Sequence, residues 1–400
     1  MRFTCSLALA LTLPALAGDF RYSVTVLEPI GDHYRVDPTA INNRGEVVGV
    51  SVGSPIDNQV PFIYRPGTGL EPLPLPPGYA FSVPMDINDN GVIVGFAQPT
   101  WSAEQSMVAW KYEDGTFTMY PGVSLGVNIN NVDTIVGRAC LSDLYLTCYF
   151  QAAPGDPMQT VGPAFFYSSS RWRMIDINDS GQILYTPPGA SGPGVLRQPD
   201  GSLVQLPPPP QPFQRTHTWA INNSAQALAR WEYNIGSQYF SRAFIWSEAS
   251  GATEIGVPNN YVFGSGLNNL GQAVGRSGSN QNSYLDIWIW TPERGTENLE
   301  PLVDPALQLI LTNSYGINDA GQILAQGISQ IPPSPTLQFI LTPVPRCRAD
   351  FDGDGFVTGV DFDLFVQAFE SGDMNSDFDG DGFITGVDFD SFVQSFESGC

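Results

Sequence analysis

A short pattern of apolar and polar positions recurs seven times along the chain. In each copy, alternating apolar residues lead to an apolar anchor, which is followed by a polar turn and a second alternating run. The spacings between successive anchors are 46, 42, 48, 44, 46 and 50 residues. Such even spacing indicates one supersecondary unit repeated along the chain. The anchors are Ile41, Ile87, Ile129, Ile177, Ile221, Leu267 and Ile317.

The polar turn predicts a hairpin. The residue after each anchor is Asn, the next is Asn or Asp, and Gly follows two places later in five copies. These residues tolerate the left-handed backbone conformations of tight turns, and alternating apolar positions on both sides are typical of strands. Further strand patterns follow, among them the aromatic segments 62–67 and 287–295 and the later segments 70–77 and 203–210. We therefore expect four short antiparallel strands in each unit.

Four strands in each unit fit the blade of a β-propeller. The seventh copy lacks a fourth strand, and the segment 22–31 resembles the fourth strands of the other copies. We therefore predict a mainly β fold, a seven-bladed propeller over residues 18–345 that is closed by the N-terminal strand. Closure in this way removes exposed sheet edges. A β-sandwich or an open solenoid is the alternative architecture.

The repeated unit IN(D/N)xGxxVG resembles the HAF-type extracellular repeats of bacteria. The resemblance covers the region assigned to the propeller. It implies an extracellular propeller and does not imply a particular activity.

Charge is concentrated near the C-terminus. The 400 residues carry a formal net charge of −23, and from residue 350 onward there are eleven Asp, two Glu and no Lys or Arg. This acidic balance argues against a nucleic-acid partner, because such proteins cluster Lys and Arg. The local excess of carboxylates points to cations instead.

Two acidic loops, residues 350–361 and 377–388, share one arrangement of ligands. Carboxylates occupy places 1, 3, 5 and 12 and Gly occupies place 6, as in an EF-hand calcium loop. Place 7 supplies a backbone carbonyl, and place 9 acts directly or through water. We predict two Ca²⁺ ions, bound by Asp350, Asp352, Asp354, Phe356, Thr358 and Asp361 and by Asp377, Asp379, Asp381, Phe383, Thr385 and Asp388.

A helix is predicted after each acidic loop. Phe and Val recur at helical spacing in both copies, and only three positions differ between residues 350–372 and 377–399. We expect the two loop–helix units to pack their phenylalanine faces together with pseudo-twofold symmetry. The apolar positions are Phe362, Phe365, Val366 and Phe369, and Phe389, Phe392, Val393 and Phe396.

The duplicated loop–helix pattern with Asp at place 12 resembles a dockerin, the module that attaches secreted proteins to cohesin domains. The resemblance covers residues 347–400, and we assign residues 346–400 to an α-helical, dockerin-like domain. It implies a cohesin-like or cell-surface partner. It also implies partner contacts at places 10 and 11 of the loops, which are Gly359, Val360, Gly386 and Val387.

Export is predicted from the first residues. Arg2 precedes an apolar run that ends in a small-x-small site at residues 15–17, so residues 1–17 read as a signal peptide. No other apolar run has the length of a membrane span. We therefore expect a secreted protein, extracellular or at the cell surface. In that oxidising setting, two disulfides are expected, with other pairings open: Cys140–Cys148 and Cys347–Cys400.

Catalytic candidates are few. Among the residues directly before the anchors, which are expected to line the channel, the carboxylates are Asp86 and Asp176. Held at the right separation they suit glycosidase chemistry, although each can instead begin its turn. The two histidines, His33 and His217, lie in no catalytic motif.

These observations favour a secreted, non-catalytic binding or scaffolding protein. In this hypothesis the propeller binds a carbohydrate or protein ligand, and the calcium-dependent tail docks to a partner. The alternative is a carbohydrate-active propeller enzyme, a polysaccharide hydrolase or lyase, delivered by the same tail. A third possibility is a cell-surface structural protein in which calcium only rigidifies the tail.

Overall fold

The chain divides into two compact units, one of which spans Val24–Glu300 and Leu309–Thr342. The other includes Pro301–Gln308 and Pro343–Cys400. No helix among the described residues is long and apolar enough to cross a membrane. The computed structural model describes residues 22–55, 58–100, 107–121, 123–140, 146–154, 158–161, 165–166, 175–187, 192–235, 238–257, 261–279, 286–344, 347–352 and 357–398. The predicted signal peptide, residues 1–17, lies outside them.

The first unit is a seven-bladed β-propeller, as the repeats predict. In the described residues it contains seven sheets. Each has four strands in chain order, except that blade three has a fifth short strand and blade seven a different strand order. The first described strand is β1 (Tyr22–Val26). Blade one contains β2 (Arg35–Ile41), β3 (Val47–Val52), β4 (Gln59–Arg65) and β5 (Gly69–Pro72). Blade two contains β6 (Phe81–Ile87), β7 (Ile93–Gln98), β8 (Val108–Glu113) and β9 (Thr116–Tyr120).

The next three blades repeat this order. Blade three contains β10 (Val123–Ile129), β11 (Ile135–Cys140), β12 (Leu146–Ala152) and β13 (Gln159–Thr160), and the short β14 (Phe165–Phe166) also pairs with β12. Blade four contains β15 (Ile175–Ile177), β16 (Ile183–Tyr185), β17 (Val195–Arg197) and β18 (Leu203–Gln205). Blade five contains β19 (Arg215–Ile221), β20 (Ala227–Ile235), β21 (Gln238–Ser247) and β22 (Gly251–Ile255).

The last sheet combines strands from distant parts of the chain. Its strand order is β1-β29-β28-β27, and the backbone N–H of Leu27 donates to the carbonyl oxygen of Gln338 at 2.8 Å just beyond β1. Blade six contains β23 (Tyr261–Leu267), β24 (Ala273–Gly278), β25 (Asp286–Thr291) and β26 (Gly295–Asn298). Blade seven contains β27 (Leu309–Ile317), β28 (Ile323–Ser329) and β29 (Thr336–Pro343) besides β1.

The first two strands of each blade are joined by the predicted tight turn. In blade one the N–H of Gly45 donates to the carbonyl oxygen of Asn42 at 3.1 Å, and Gly45 has φ +73°. The two copies without Gly at this place keep the same conformation, since Asp133 has φ 60° and Ala225 has φ 56°. The turn geometry is therefore imposed by the whole repeat, including at a residue with a Cβ.

Aromatic side chains of the third strands fill the spaces between blades. They are fully buried at Phe62, Trp110, Phe150, Phe244, Trp288 and Phe339. Glycine in the second strand makes room for them, because a Cβ on Gly275 would overlap the Trp288 ring and the Phe263 carbonyl oxygen. Burial of these large rings provides the main hydrophobic stabilisation of the propeller.

The second unit contains a pair of helices, which confirms the helices predicted after the acidic loops. They are α1 (Gly359–Ser371) and α2 (Gly386–Ser398), and a short 3₁₀ helix, Met374–Ser376, precedes the second loop. The rings of Phe365 and Phe392 stack with centroids 3.8 Å apart and planes 2° from parallel. The two equivalent phenylalanines thus meet at the centre of the expected pseudo-twofold arrangement. Two further 3₁₀ helices, Glu300–Leu302 and Pro305–Leu307, follow blade six.

Candidate functional site

Each acidic loop gathers three carboxylates. In the second loop, one carboxylate oxygen from each of Asp377, Asp379 and Asp388 lies within 4.8 Å of the others. Asp388 is the third residue of α2, so the start of the helix fixes its position relative to the loop. The first loop gathers Asp350, Asp352 and Asp361 within the same distance. The sequence spacing therefore predicted correctly that places 1, 3 and 12 come together.

Backbone amides hold the carboxylate at place 12. Asp388 is fully buried, and its Oδ1 accepts the N–H groups of Phe378 at 2.7 Å and Asp379 at 3.1 Å. Its Oδ2 accepts the N–H of Thr385 at 2.7 Å and the Thr385 hydroxyl at 3.2 Å. These bonds, led by that of the Thr385 N–H, lower the pKa of Asp388. The carboxylate is therefore ionised at neutral pH.

The first loop repeats this electrostatic arrangement at Asp361. Burial alone raises the pKa of this carboxyl, but the N–H groups of Thr358, Asp352 and Phe351 outweigh burial and lower it. Thr358 is also the N-cap of α1 and forms a capping box with Asp361. One carboxylate thus starts the helix and contributes to the acidic triad.

The other predicted ligands are arranged differently. Asp381 is exposed, its Oδ1 accepts the N–H of Phe383 at 2.8 Å, and it lies outside the triad of the second loop. The side chain of Phe383 is 71% exposed, and the Thr385 hydroxyl accepts the Val387 N–H at 3.1 Å. Asp354 and Phe356 lie outside the described residues.

The donor set of each triad fits a hard divalent cation. Carboxylates at this separation repel one another when they are charged, and a divalent cation between them offsets the repulsion. Oxygen-only ligands suit Mg²⁺ or Ca²⁺ and not the softer metals that prefer nitrogen or sulfur. Both triads can therefore hold a metal ion.

The predicted partner-contact residues lie at the helix starts. Gly359 and Gly386 are the first residues of α1 and α2. The side chains of Val360 and Val387 follow them and are 55% and 58% exposed. Each loop–helix unit thus presents one apolar side chain to solvent directly after its acidic loop.

The predicted disulfides stay predictions. Cys347 packs against the phenylalanine cluster of the second unit, and Cys400 lies outside the described residues. The side chains of Cys140 and Cys148 also lie outside them. The backbone register pairs Cys148 with Ala139, so the two cysteines are not direct cross-strand partners.

Asparagines that follow the anchors form a closed ring within the propeller. Each side-chain amide donates to the backbone carbonyl oxygen of the equivalent asparagine in the next blade, at 2.9–3.0 Å. The last of these bonds runs from Asn318 to Asn42. The ring members are buried: Asn42, Asn88, Asn130, Asn178, Asn222, Asn268 and Asn318.

A second ring lies beside the first. The backbone N–H of each member donates to a side-chain oxygen of the equivalent residue in the next blade, at 2.7–2.9 Å. The anchors and both rings line a cavity of about 200 Å³. These oxygens already accept backbone N–H groups, so the ring is foremost a structural device. Its members are Asn43, Asp89, Asn131, Asp179, Asn223, Asn269 and Asp319.

The two channel carboxylates join neighbouring blades. Oδ2 of Asp86 accepts the N–H of Ile129 at 2.9 Å, and Oδ2 of Asp176 accepts the N–H of Ile221 at 2.9 Å. Their Oδ1 atoms accept the N–H of the following residue. Desolvation in the channel wall raises the pKa of Asp86 to about 7, with a further contribution from the charge of Asp176. Desolvation likewise raises the pKa of Asp176 to about 6.

Both histidines are bonded to polar neighbours. His33 Nδ1 lies 3.0 Å from the Oγ of Ser51, a buried residue that also accepts the N–H of Ile30. His217 Nε2 lies 2.5 Å from Oε1 of Glu232. The first contact joins the segment before β2 to β3 in blade one, and the second joins β19 to β20 in blade five.

One cluster of arginine and aromatic side chains was not predicted from the sequence. Arg230 and Arg276 approach the ring of Phe263 between blades five and six. A signal for it exists in the repeats, because Arg138, Arg230 and Arg276 each stand nine residues after their anchor. The chain has only 17 Lys and Arg, so arginine at one repeat place in three blades is informative.

Comparison with known proteins identifies no family. No protein-family model matches the chain, and no curated protein matches it. Among solved structures, the propeller domain of the Trilobed protease from Pyrococcus furiosus is 8% identical, with a TM-score of 0.44, over 64% of this chain and 82% of that one. Pyrococcus horikoshii acylaminoacyl peptidase is 11% identical, with a TM-score of 0.49, over 76% and 51%.

A third similar structure is a gluconolactonase from Xanthomonas campestris. It is 11% identical, with a TM-score of 0.35, over 83% of this chain and 97% of that one. These proteins differ in function from one another, and their similarity to this chain is too low to transfer any activity.

Proposed function

We propose that this chain is a secreted, non-catalytic binding protein with a calcium-dependent docking tail. The propeller, residues 18–345, presents a ligand-binding surface, and residues 346–400 bind two Ca²⁺ ions and attach the protein to a cohesin-like or cell-surface partner. The observation that carries the proposal is the pair of matching carboxylate triads at the starts of two helices that pack together.

Calcium is the ion that the donor set favours. The triads supply three carboxylates each, and Asp381, Phe383 and Thr385 are available in the second loop as further oxygen ligands at places 5, 7 and 9. A bound Ca²⁺ would hold each loop in one conformation and offset part of its negative charge. The chain itself connects each loop to the helix that follows it. Asp361 and Asp388 make this connection by accepting the N–H groups of Thr358 and Thr385.

The docking surface is proposed around the exposed valines. Gly359 and Val360 in one unit, and Gly386 and Val387 in the other, lie directly after the calcium loops. Order in the loops therefore sets the position of these side chains.

Closure of the propeller by the N-terminal strand belongs to the same proposal. The strand order β1-β29-β28-β27 supports it, since β1 supplies the fourth strand that the seventh repeat lacks. A signal peptide over residues 1–17 and the bridges Cys140–Cys148 and Cys347–Cys400 are further parts of it. Treatment of the secreted protein with a thiol-labelling reagent tests the bridges. If both are present, we expect these four cysteines to react only after reduction.

A carbohydrate-active enzyme is the second candidate, and Asp86 and Asp176 are the observation that favours it. Carboxyls whose pKa values are raised to about 7 and about 6 can exchange protons near neutral pH. Both carboxylates already accept two backbone N–H groups, which favours the structural role. Turnover of a polysaccharide panel that disappears in Asp86→Asn or Asp176→Asn would favour the enzyme.

Affinity capture tests the docking function. The full-length protein is immobilised and exposed to the secreted and surface proteins of its source, once with calcium and once with a chelator. We expect a partner that is retained only with calcium and is lost in the double variant Val360→Asp, Val387→Asp. Retention that does not depend on calcium, or that the double variant keeps, contradicts the proposed surface.

A further inference from the structure

Blades five and six bring two arginines against one phenylalanine. The guanidinium carbon of Arg230 lies 4.3 Å from the centroid of the Phe263 ring, and that of Arg276 lies 5.1 Å from the same centroid. Arg230 also lies 5.1 Å from the ring of Trp219, which meets Phe263 edge to face at 4.0 Å between centroids. We call Trp219, Arg230, Phe263, Arg276 and the neighbouring Asn313 the arginine cluster.

The positive charge of Arg230 is only partly neutralised. Its side chain is 12% exposed, and the carboxylate that pairs with it in the described residues is Glu232, at 3.4 Å. Glu232 also lies 2.5 Å from His217 and 3.8 Å from Arg215. Burial lowers the pKa of Arg230, as expected for a cation that is short of a counter-ion. One carboxylate therefore faces two arginines and a histidine.

Arg276 adds a second cation that contacts a neutral group. Its Nη1 donates to the side-chain oxygen of Asn313 at 3.2 Å, and Asn313 belongs to blade seven. Two like charges at one phenyl ring repel each other, and the ring contacts offset only part of that repulsion. An anion between Arg230 and Arg276 would neutralise both.

Arg230 also has hydrogen-bonding capacity to spare. Among the described residues, its Nε and Nη1 atoms have no hydrogen-bond partner and are out of contact with solvent. A buried charged donor without a protein partner is strongly unfavourable, and an anion beside these two atoms would accept a hydrogen bond from each. Guanidinium groups match the two oxygens of a carboxylate with parallel bonds.

The same five residues match a sugar ring as well as a carboxylate. The rings of Trp219 and Phe263 are half-buried, and they pack against the guanidinium groups and against each other. The aromatic carbon that stays exposed beside the arginines suits the C–H groups of a pyranose. Asn313 offers an amide for a hydroxyl group. Aromatic faces with a few convergent polar groups are typical of small-molecule sites.

We propose that the arginine cluster binds the carboxylate of an acidic saccharide. Arg230 and Arg276 donate to the carboxylate, the rings of Trp219 and Phe263 contact the sugar, and Asn313 bonds a hydroxyl group. The inference rests on the proposed ligand-binding role of the propeller and names the ligand class and its site.

The repeats supply conservative replacements for the arginines. The places equivalent to Arg230 and Arg276 are occupied by Val50, Phe96 and Gln326 in other blades. The blade fold therefore does not require arginine there, and a change to Gln introduces a residue that the chain itself uses. Arg276 contacts a neutral amide, so Arg276→Gln leaves no buried carboxylate without its partner. Arg230→Gln takes a partner from buried Glu232 and should lower the stability of the ligand-free protein.

Titration calorimetry of the full-length, calcium-loaded protein tests the proposal with three probes. They are an oligogalacturonate, the matching neutral galactose oligosaccharide and inorganic phosphate. We expect saturable binding of the oligogalacturonate alone, weakened about 10- to 100-fold in Arg276→Gln and Arg230→Gln. Arg65→Gln, which removes the same charge from blade one, should bind as the unchanged protein does. The Tm of ligand-free Arg276→Gln should not fall, because its side-chain partner is the neutral Asn313.

Several outcomes would overturn the proposal. They are no binding of the oligogalacturonate, equal binding of the neutral oligosaccharide, displacement by phosphate, or a lower Tm in Arg276→Gln with binding unchanged. Because the readout does not use the tail, these failures are distinct from a failure of calcium-dependent docking. Saccharide binding should persist in Val360→Asp, Val387→Asp.

Discussion

The side-chain amide of Asn318 donates a hydrogen bond of 2.9 Å to the backbone carbonyl oxygen of Asn42, across 276 residues of sequence. The equivalent bond also links each of the remaining six pairs of neighbouring blades, between residues 42–50 positions apart in the sequence. The repeated asparagine is therefore both a turn residue and the connection between one blade and the next. Seven copies of one short motif thus form a closed ring of hydrogen bonds, and each copy contributes one bond to it.

Loss of one inner-ring asparagine should destabilise the propeller far more than loss of its outer-ring neighbour. Asn222 is buried, accepts the N–H groups of Ser224 and Gln226, and donates to the Gln226 side chain and to the Asn268 carbonyl oxygen. Asn222→Ala leaves these groups unsatisfied, so we expect the free energy of unfolding to fall by about 3 kcal/mol or more. Urea denaturation measures this change in the free energy of unfolding. Asn223→Ala, at an exposed position, is the matched control, and equal losses in both variants would contradict the role of the inner ring.

Ala225→Gly should stabilise the propeller. Ala225 has φ 56° at the place where five other copies have Gly, and a Cβ is unfavourable in this conformation. We expect a gain of about 1 kcal/mol in the free energy of unfolding. Asp133→Gly provides the comparison, because Asp133 has φ 60° but also accepts the Asn88 amide at 2.6 Å. Chemical denaturation should show a gain for the first variant only, and a loss in Ala225→Gly would refute the strain argument.

Propeller stability should decrease as the pH rises from about 4 to about 7. The folded-state pKa values of Asp86 and Asp176 are raised to about 7 and about 6, above the ordinary value of 3.8. The folded state therefore binds more protons than the unfolded state in this window, and deprotonation weakens it. Asp86→Asn should flatten the decrease in denaturation curves recorded across the window. Asp200→Asn is the control, because its pKa is lowered through Ser202 and its own contribution to stability is lost as the pH falls. An unchanged slope in Asp86→Asn would exclude this carboxyl as the cause.

Phe392→Ala should disrupt the helix pair of the tail. Phe392 is fully buried and stacks on Phe365, so its truncation leaves a cavity at the centre of the packing. We expect a loss of about 3–5 kcal/mol. Hydrogen exchange of the α1 and α2 amides reports this loss in the full-length protein. Phe383→Ala, with a ring 71% exposed, removes the same side chain without opening a cavity, and protection should be kept.

The sequence predicts what depends on local chemistry. Hairpins follow from the Asn-Asx turns, burial follows from the third-strand aromatics, and the approach of Asp377 to Asp388 follows from loop and helix spacing. The orientation of Asp381 does not, because its bond to the N–H of Phe383 is one local option among several. The contact of Arg230 with Phe263 also escapes prediction, since it depends on how two separate blades pack together.

Calcium titration of the full-length protein tests the central claim most directly. We predict that calorimetry detects two bound Ca²⁺ ions per chain, and that the double variant Asp354→Ala, Asp381→Ala loses this binding while the propeller stays folded. The control variant, Asp363→Ala with Asp390→Ala, removes two equally charged, exposed residues of α1 and α2 and should bind both ions. No bound calcium in the unchanged protein, or undiminished binding in the first variant, would contradict the account.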